Sequence, residues 1–279
     1  MGRGWLFGAA AVGILTGILF AAFPQLDVQI SGWFWDPVAA RFPLATQSTP
    51  NVLRKIGDWT VWLIVIAAAG ALIAKLLFPR TRMLIRPTIV LFLLSSYAVG
   101  PGLVTNSLLK PYWSRPRPVH IEQFAGREHF EPWWRPGGDC ADNCSFVSGD
   151  AAQAFWLLAP ASVVPAPVKP VALVAATAVA SGLSLMRVAF GRHFLTDIAF
   201  AGVLTIIIVT LLHYVFLNWR MRDDKLEQRL ERLAFMLRSP SALGVAIRRL
   251  ARPRSDVPSK KLDGAERLLP SRLQERRET

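Results

Sequence analysis

The chain has 279 residues, 52% of them hydrophobic and only 18% charged, and carries a formal net charge of +13. A composition this apolar excludes an ordinary soluble domain and points to a protein that crosses a membrane several times. The basic excess does not indicate nucleic-acid binding: no reader motif accompanies it, and the 16 Lys and Arg against 9 Asp and Glu from Arg220 to Thr279 gather +7 at one end.

In chain order, six apolar stretches approach the roughly 20 residues needed to cross a bilayer, which predicts an all-α bundle of six membrane-spanning helices. They run from about Trp5 to Phe23, Asp58 to Phe78, Leu84 to Leu109, Ser148 to Pro165, Val168 to Val188 and Phe194 to Trp219. The first also has the basic start and apolar middle of a signal peptide, with "LFAAF" near a cleavage site. A retained helix is preferred, because six spans satisfy the orientation set by the loops and five do not.

The connection "KLLFPRTRMLIR" carries Lys75, Arg80, Arg82 and Arg86, and the tail begins "WRMRDDKLEQRLERL". Both are expected on the cytoplasmic side, with both termini inside a bacterial inner membrane. Three connections then face outward, into the periplasm: residues 24–57, 110–147 and 189–193. The second holds Arg115, Arg117, Arg127 and Arg135 against the positive-inside trend, which suggests that it binds something anionic. Its Trp113, Trp133 and Trp134 fit an interfacial aromatic belt. Cys140 and Cys144 in the same loop form a bracing disulfide in an oxidising compartment, with free thiols as the alternative. A zinc site needs two more ligands, and none is adjacent. Arg222 to Leu237 reads as an amphipathic interfacial helix, and the proline-bearing stretch beyond about Arg238 as disordered. The expected organisation is residues 1–83 with two spans and an outward loop, a core over 84–219, and a basic cytoplasmic tail over 220–279.

Three polar clusters sit at outward span ends. "KPYWSRPRP" places Lys110 six residues before Arg117-Pro118; "SFVSGD" opens the fourth span with Ser148, Gly149 and Asp150; and "RVAFGRHFLTD" spaces Arg187, His193 and Asp197. His193 and Asp197 are i, i+4 and share a helix face, so the carboxylate can accept the imidazole Nδ1 hydrogen and leave Nε2 to attack. Ser148 and Gly149 offer a hydroxyl and backbone amides at a helix N-terminus, an anion site in general form. With Lys110, Arg117 and Arg187 they suit a phosphoryl group whose transition-state charge is spread over its equatorial oxygens. Taken singly these features have ordinary explanations, such as snorkelling cations and helix caps. Their joint spacing at three outward ends carries the argument.

These residues resemble the type 2 phosphatidic acid phosphatases (PAP2), which share a site with the vanadium haloperoxidases. The family pattern is K-x6-RP, then PSGH, then SR-x5-H-x3-D. The first motif is complete in Lys110, Arg117 and Pro118; the third keeps Arg187, His193 and Asp197, with Met186 where the family has Ser. The second reads Val147-Ser148-Gly149-Asp150, with Asp in place of the family's His. The resemblance covers roughly residues 84–219. It implies a phosphatase that needs neither metal nor cofactor, with His193 forming a phosphohistidine and Asp197 orienting it. Lys110, Arg117, Ser148, Gly149 and Arg187 would hold the phosphate.

The family's second-motif His protonates the leaving oxygen, and three accounts of Asp150 in that role stay open. Asp150 is a protonated acid, or His120, Glu128 or His129 takes the role, or the protein binds without turnover. A good leaving group tolerates a weaker acid, which tilts the expected substrate toward lipid A 1-phosphate or a polyprenyl diphosphate over phosphatidate. The expected partners are therefore a lipid phosphate or diphosphate and the membrane, with no nucleic acid. Transfer of the phosphate to a lipid acceptor in place of water is the enzymatic alternative.

Overall fold

The computed structural model describes residues 2–218 and 223–238, and every structural statement below refers to these. The chain divides into two units after Ala234. Of the second, only Phe235 to Arg238 are described, as the last turn of a helix. The disorder expected beyond Arg238 lies outside the described residues.

The described chain is all-helical apart from two isolated bridges. Helix α1 spans Arg3–Ala22, α2 Gln25–Gly32 and α3 Ser48–Leu77. Helix α4, Pro87–Tyr97, continues as a π-helical stretch over Ala98–Leu109 and ends in the single turn α5, Lys110–Trp113. Pro101 lies inside the π-helical stretch, where a normal i→i−4 ladder would lose a donor. Helices α6, Gly149–Trp156, and α7, Leu158–Val163, are followed by α8, Lys169–Ala189, α9, Leu195–His213, and α10, Asp223–Arg238.

Five helices are long and apolar enough to cross a membrane: those over Arg3–Ala22, Ser48–Leu77, Pro87–His120, Lys169–Ala189 and Leu195–Leu217. The expected span at 148–165 is instead two short helices, α6 and α7, jointed at Leu157, with Pro160 in the second. Burial explains how such a joint is tolerated. Ala151, Ala152, Trp156, Leu158 and Ala159 are all fully buried, so the broken segment is sheathed by the other helices.

The polarity of the bundle is that of a membrane protein. Phe7, Leu15, Ile18, Leu63, Ile66, Val171 and Val174 are exposed, whereas Ser96, Thr105, Thr205 and Thr210 are buried. With hydrocarbon outside there is no hydrophobic drive to hide the apolar residues, and close packing of small residues holds the helices together. Gly13 of α1 faces Val203, Gly17 faces Trp133, and a Cβ at Gly202 of α9 would lie 2.8 Å from Phe155. The buried Trp156 indole donates to Ser96 Oγ at 2.9 Å and meets the Tyr97 ring edge-on. The chain is an integral membrane protein.

The two ends of the bundle differ. At one end Lys75 is buried and its ammonium donates to Glu227 at 2.9 Å, Glu231 at 2.8 Å and the Thr81 carbonyl at 2.8 Å. Asp223 accepts from Arg86 Nε at 2.7 Å and from the Thr88 hydroxyl at 2.7 Å. Helix α10 is thus docked by its acids as well as by the buried Leu226 and Leu230. At the opposite end converge the C-terminal ends of α1, α5 and α8 and the N-terminal ends of α3, α6 and α9. All three polar clusters are there.

Candidate active site

Each cluster sits where a helix stops or starts. Lys110 opens α5, whose chain leaves through Ser114 at φ 47, and Arg117 follows in extended backbone. Ser148 is the N-cap of α6 and its Oγ accepts the Ala151 N–H at 3.2 Å. A Cβ at Gly149 would lie 2.8 Å from Asn106 Oδ1 and 3.6 Å from Lys110 Nζ, so glycine lets the α6 N-terminus close on the lysine. Gly191 turns the chain from α8 to α9 at φ 64, and any side chain there would collide with Phe42. That turn delivers His193 beside Ser145.

The environment of His193 fixes its tautomer. Nδ1 lies 2.9 Å from the Ser145 carbonyl oxygen, which can only accept, so Nδ1 carries the hydrogen and Nε2 the lone pair. Asp197 Oδ2 is 3.8 Å from Nδ1, too far for the direct bond that the i, i+4 spacing predicts. The reason is that Oδ2 is already occupied: it accepts the Phe194 N–H at 2.7 Å as the first-turn acid of α9 and the Ser145 hydroxyl at 2.5 Å. Asp197 therefore reaches His193 through Ser145 and as a nearby charge. His193 is buried, and that burial lowers its pKa, outweighing the pull of Asp197 in the other direction. The imidazole is neutral at neutral pH.

The cations have oxygen partners rather than a full set of acids. Lys110 Nζ donates to Asn143 Oδ1 at 3.1 Å and Arg117 Nε to the Asn143 carbonyl at 2.8 Å. Lys110 is also within electrostatic reach of Arg117, Asp150 and Arg187. Arg187 forms an ion pair with Asp150 at 2.5 Å, next to Arg54 and Asp58 of α3. Asp150 lies in the first turn of α6, outside the five span-length helices. Burial would raise its pKa, but Arg187, then His193, Arg54 and Lys110, more than reverse this and hold the carboxyl below its ordinary value. Without a bound anion, Asp150 is ionised. The other candidate acids are engaged in the loop: His129 pairs with Glu122 at 3.3 Å and His120 with Glu128 at 3.8 Å.

Cys140 and Cys144 form a disulfide. Its position is informative, because Cys144 lies between Asn143, which holds Lys110 and Arg117, and Ser145, which holds His193 and Asp197. Trp113 packs at a tilt against Phe146 and Trp133 against Phe200, while Trp134 stays exposed.

Sequence reasoning missed Asn143, Ser145, Thr196 and Asp27, and gave Arg115 only the general role of an anion-binding loop cation. Arg115 is fully buried and joins Asp27 to Asp197. Burial raises the Asp27 carboxyl above its ordinary value, and Arg115 opposes the rise. One signal was present: "PQLDVQISG" places a lone acid at the end of an apolar span, where an ionisable group carries a functional expectation by default.

Comparison with known proteins places the chain in a family. Residues 89–221 match the PAP2 superfamily model. The chain is 35% identical over 187 residues to a Lipid A 4'-phosphatase of Francisella tularensis subsp. novicida, covering 67% of this chain and 84% of that protein. It is 31% identical to a Lipid A 4'-phosphatase of Rhizobium etli, covering 68% of this chain and 79% of the relative. Among solved structures, the first transmembrane PAP2 type phosphatidylglycerolphosphate phosphatase from Bacillus subtilis is 21% identical, with a TM-score of 0.48 over 77% of this chain and 97% of that one. By its sequence relatives and its family match, the chain belongs to the PAP2 superfamily and is a phosphatase of that family.

Proposed function

We propose that the chain removes a phosphate from lipid A at the periplasmic end of the bundle, through a phosphohistidine on His193. The observation that carries the reading is the bond between His193 Nδ1 and the Ser145 carbonyl, which directs the Nε2 lone pair to the reacting side. The 4'-phosphate is the preferred bond, because the relatives matched at 35% and 31% identity are named for it. This shifts the expectation away from the 1-phosphate and from polyprenyl diphosphate. The 4' leaving oxygen is an ordinary sugar hydroxyl, so it needs a proton donor more than an anomeric oxygen or a diphosphate does.

Lys110, Arg117, Arg187 and the amides at the start of α6 bind the phosphate oxygens. An arriving phosphate competes with Asp150 for Arg187 and places negative charge beside the carboxyl; both effects, with burial, drive Asp150 toward its protonated form. His193 Nε2 attacks phosphorus, the bond to the sugar oxygen breaks, and the Asp150 proton goes to that oxygen. The emerging imidazolium charge is stabilised by Asp197, and its Nδ1 hydrogen stays on Ser145. Water then attacks the phosphohistidine, gives a proton to the Asp150 carboxylate, and releases inorganic phosphate with neutral His193.

A second reading draws on the Asp150–Arg187 ion pair: a protein that binds the phosphorylated lipid without turnover. Phosphate release in detergent micelles separates the two. Purified protein is given lipid A, phosphatidate, phosphatidylglycerophosphate and undecaprenyl diphosphate, with chelator present and His193→Ala as control. Release from lipid A, with retention of the 1-phosphate and loss in His193→Ala, is expected. Binding of all phospholipids with no release from any would establish the second reading.

A further inference from the structure

The buried network between α2 and α9 has no place in the steps above, yet it ends on Asp197. Arg115 is fully buried. Its NH1 nitrogen donates to Asp197 Oδ1 at 2.5 Å and to Thr196 Oγ1 at 2.8 Å; its NH2 nitrogen donates to Asp27 Oδ2 at 2.9 Å; and Nε donates to the Glu131 carbonyl at 2.8 Å. Asp27 in turn accepts the Thr196 N–H at 3.1 Å and the Thr196 hydroxyl at 2.5 Å. The guanidinium lies over the Phe194 ring at 4.3 Å. All of its nitrogens are engaged, and each carboxylate accepts three hydrogen bonds.

We propose that Asp27 and Arg115, joined through Thr196, are positioning residues that fix the orientation of Asp197 and, through Ser145, the imidazole of His193. The inference rests on the reading of His193 as nucleophile. Asp197 has two oxygens with separate duties: Oδ1 is held by Arg115, which leaves Oδ2 for Ser145 Oγ and the Phe194 N–H. Rotation of that carboxylate would release Ser145, whose carbonyl is the acceptor for His193. Arg115 cannot itself choose a rotamer for Asp197 unless its far edge is anchored, and Asp27 is the anchor. Asp27 lies outside the family-matched residues 89–221, so α2 contributes a residue to the site that the family core does not contain.

A purely structural role is a weak alternative on energetic grounds. A buried ion pair costs about as much in desolvation as it returns in attraction, and apolar replacements are often neutral or stabilising. Two acids around one buried guanidinium make poor glue between α2 and α9. They make a good clamp, because the planar guanidinium has a rigid fork of donors that tolerates little rotation.

The test is steady-state kinetics of phosphate release from lipid A micelles by the full chain, for Asp27→Asn, Thr196→Val, Thr196→Ser and His193→Ala. Asp27→Asn keeps shape and leaves Arg115 paired with Asp197. Thr196→Val removes only the bridging hydroxyl, and Thr196→Ser restores it, which guards against a fold lost on mutation of Asp27. Expected is a fall in kcat of about 10- to 100-fold for Asp27→Asn with KM held within about threefold, by analogy with the loss seen when the outer partners that orient metal-binding histidines are removed. Thr196→Val falls in the same direction, Thr196→Ser returns toward wild type, and every variant is assayed well below its own thermal midpoint so that lost kcat is not lost fold. Turnover lost in His193→Ala but undiminished in Asp27→Asn and Thr196→Val would overturn this inference alone. Turnover that survives in His193→Ala would overturn it together with the nucleophile assignment.

Discussion

The bundle buries charge at both ends, and the two ends treat it differently. At the Lys75 end one ammonium meets two carboxylates and a carbonyl, so its hydrogen-bonding capacity is filled from within the chain. At the His193 end Lys110 and Arg117 share the oxygens of a single residue, Asn143, and Arg187 has Asp150. Three cations with so few internal anions are what the proposed phosphate site needs, because the substrate's phosphate would supply the missing partner. A buried charge satisfied internally needs nothing further, whereas one left short of acids is costly until an anion joins it.

The sharpest way to break this contrast is at Asp150, which is ion-paired with Arg187 and lies within electrostatic reach of Lys110 and Arg117. Asp150→Asn removes the proposed proton donor, and turnover of lipid A should fall on the order of 10³-fold, within the span that general acid catalysis contributes. An aryl phosphate such as p-nitrophenyl phosphate, whose leaving group needs no proton, should be spared most of that loss. An equal loss on both substrates would show that Asp150 acts on phosphate binding instead.

The next effect is set by His193. Burial lowers its pKa below the ordinary imidazole value, so the neutral nucleophile persists below the pH at which a free histidine is half protonated. Activity is present above the lowered pKa and is lost as pH falls through it. The acid limb of kcat/KM should therefore lie below about pH 6.5, dropping about tenfold per unit beneath it. A limb above that value would mean that Asp197 outweighs burial.

Smaller again is the disulfide. Reduction, or the pair Cys140→Ser and Cys144→Ser, releases the loop that carries Asn143 and Ser145. The chain-entropy relation puts the loss near 2 kcal/mol for so short a loop, visible as a lower thermal midpoint with a parallel fall in kcat/KM. An unchanged kcat/KM at a lower midpoint would confine the bridge to stability. At the opposite end Lys75→Met should cost about 1–3 kcal/mol of stability, since it leaves Glu227 and Glu231 without their donor, and should leave kcat/KM where it was. A drop in kcat/KM there would erase the distinction between the two ends.

Much of the site was legible because its residues are local in sequence. Lys110 and Arg117 lie within one short motif, as do Arg187, His193 and Asp197, and fixed intervals near span ends carry that information without a fold. The spans were legible because hydropathy alone decides them, except at 148–165, where Leu157 and Pro160 break a stretch whose burial no hydropathy average reveals. Asp27, Arg115 and Thr196 were not legible as a unit. Their contacts join residues up to 169 positions apart, and nothing in any one segment names the others. The i, i+4 spacing also predicted a direct His193–Asp197 bond, which Ser145 intercepts because Asp197 first satisfies the start of its own helix.

The central claim is that His193 takes up the phosphoryl group, and trapping tests it most directly. Lipid A carrying a labelled 4'-phosphate is mixed with the purified protein, quenched in alkaline detergent within the first turnover, and the protein-bound label is followed through acid and alkaline treatment. Label that survives alkali, is released by acid, and is absent from His193→Ala is the predicted result. Turnover at the wild-type rate with no protein-bound label at any quench time, or label retained in His193→Ala, would contradict it.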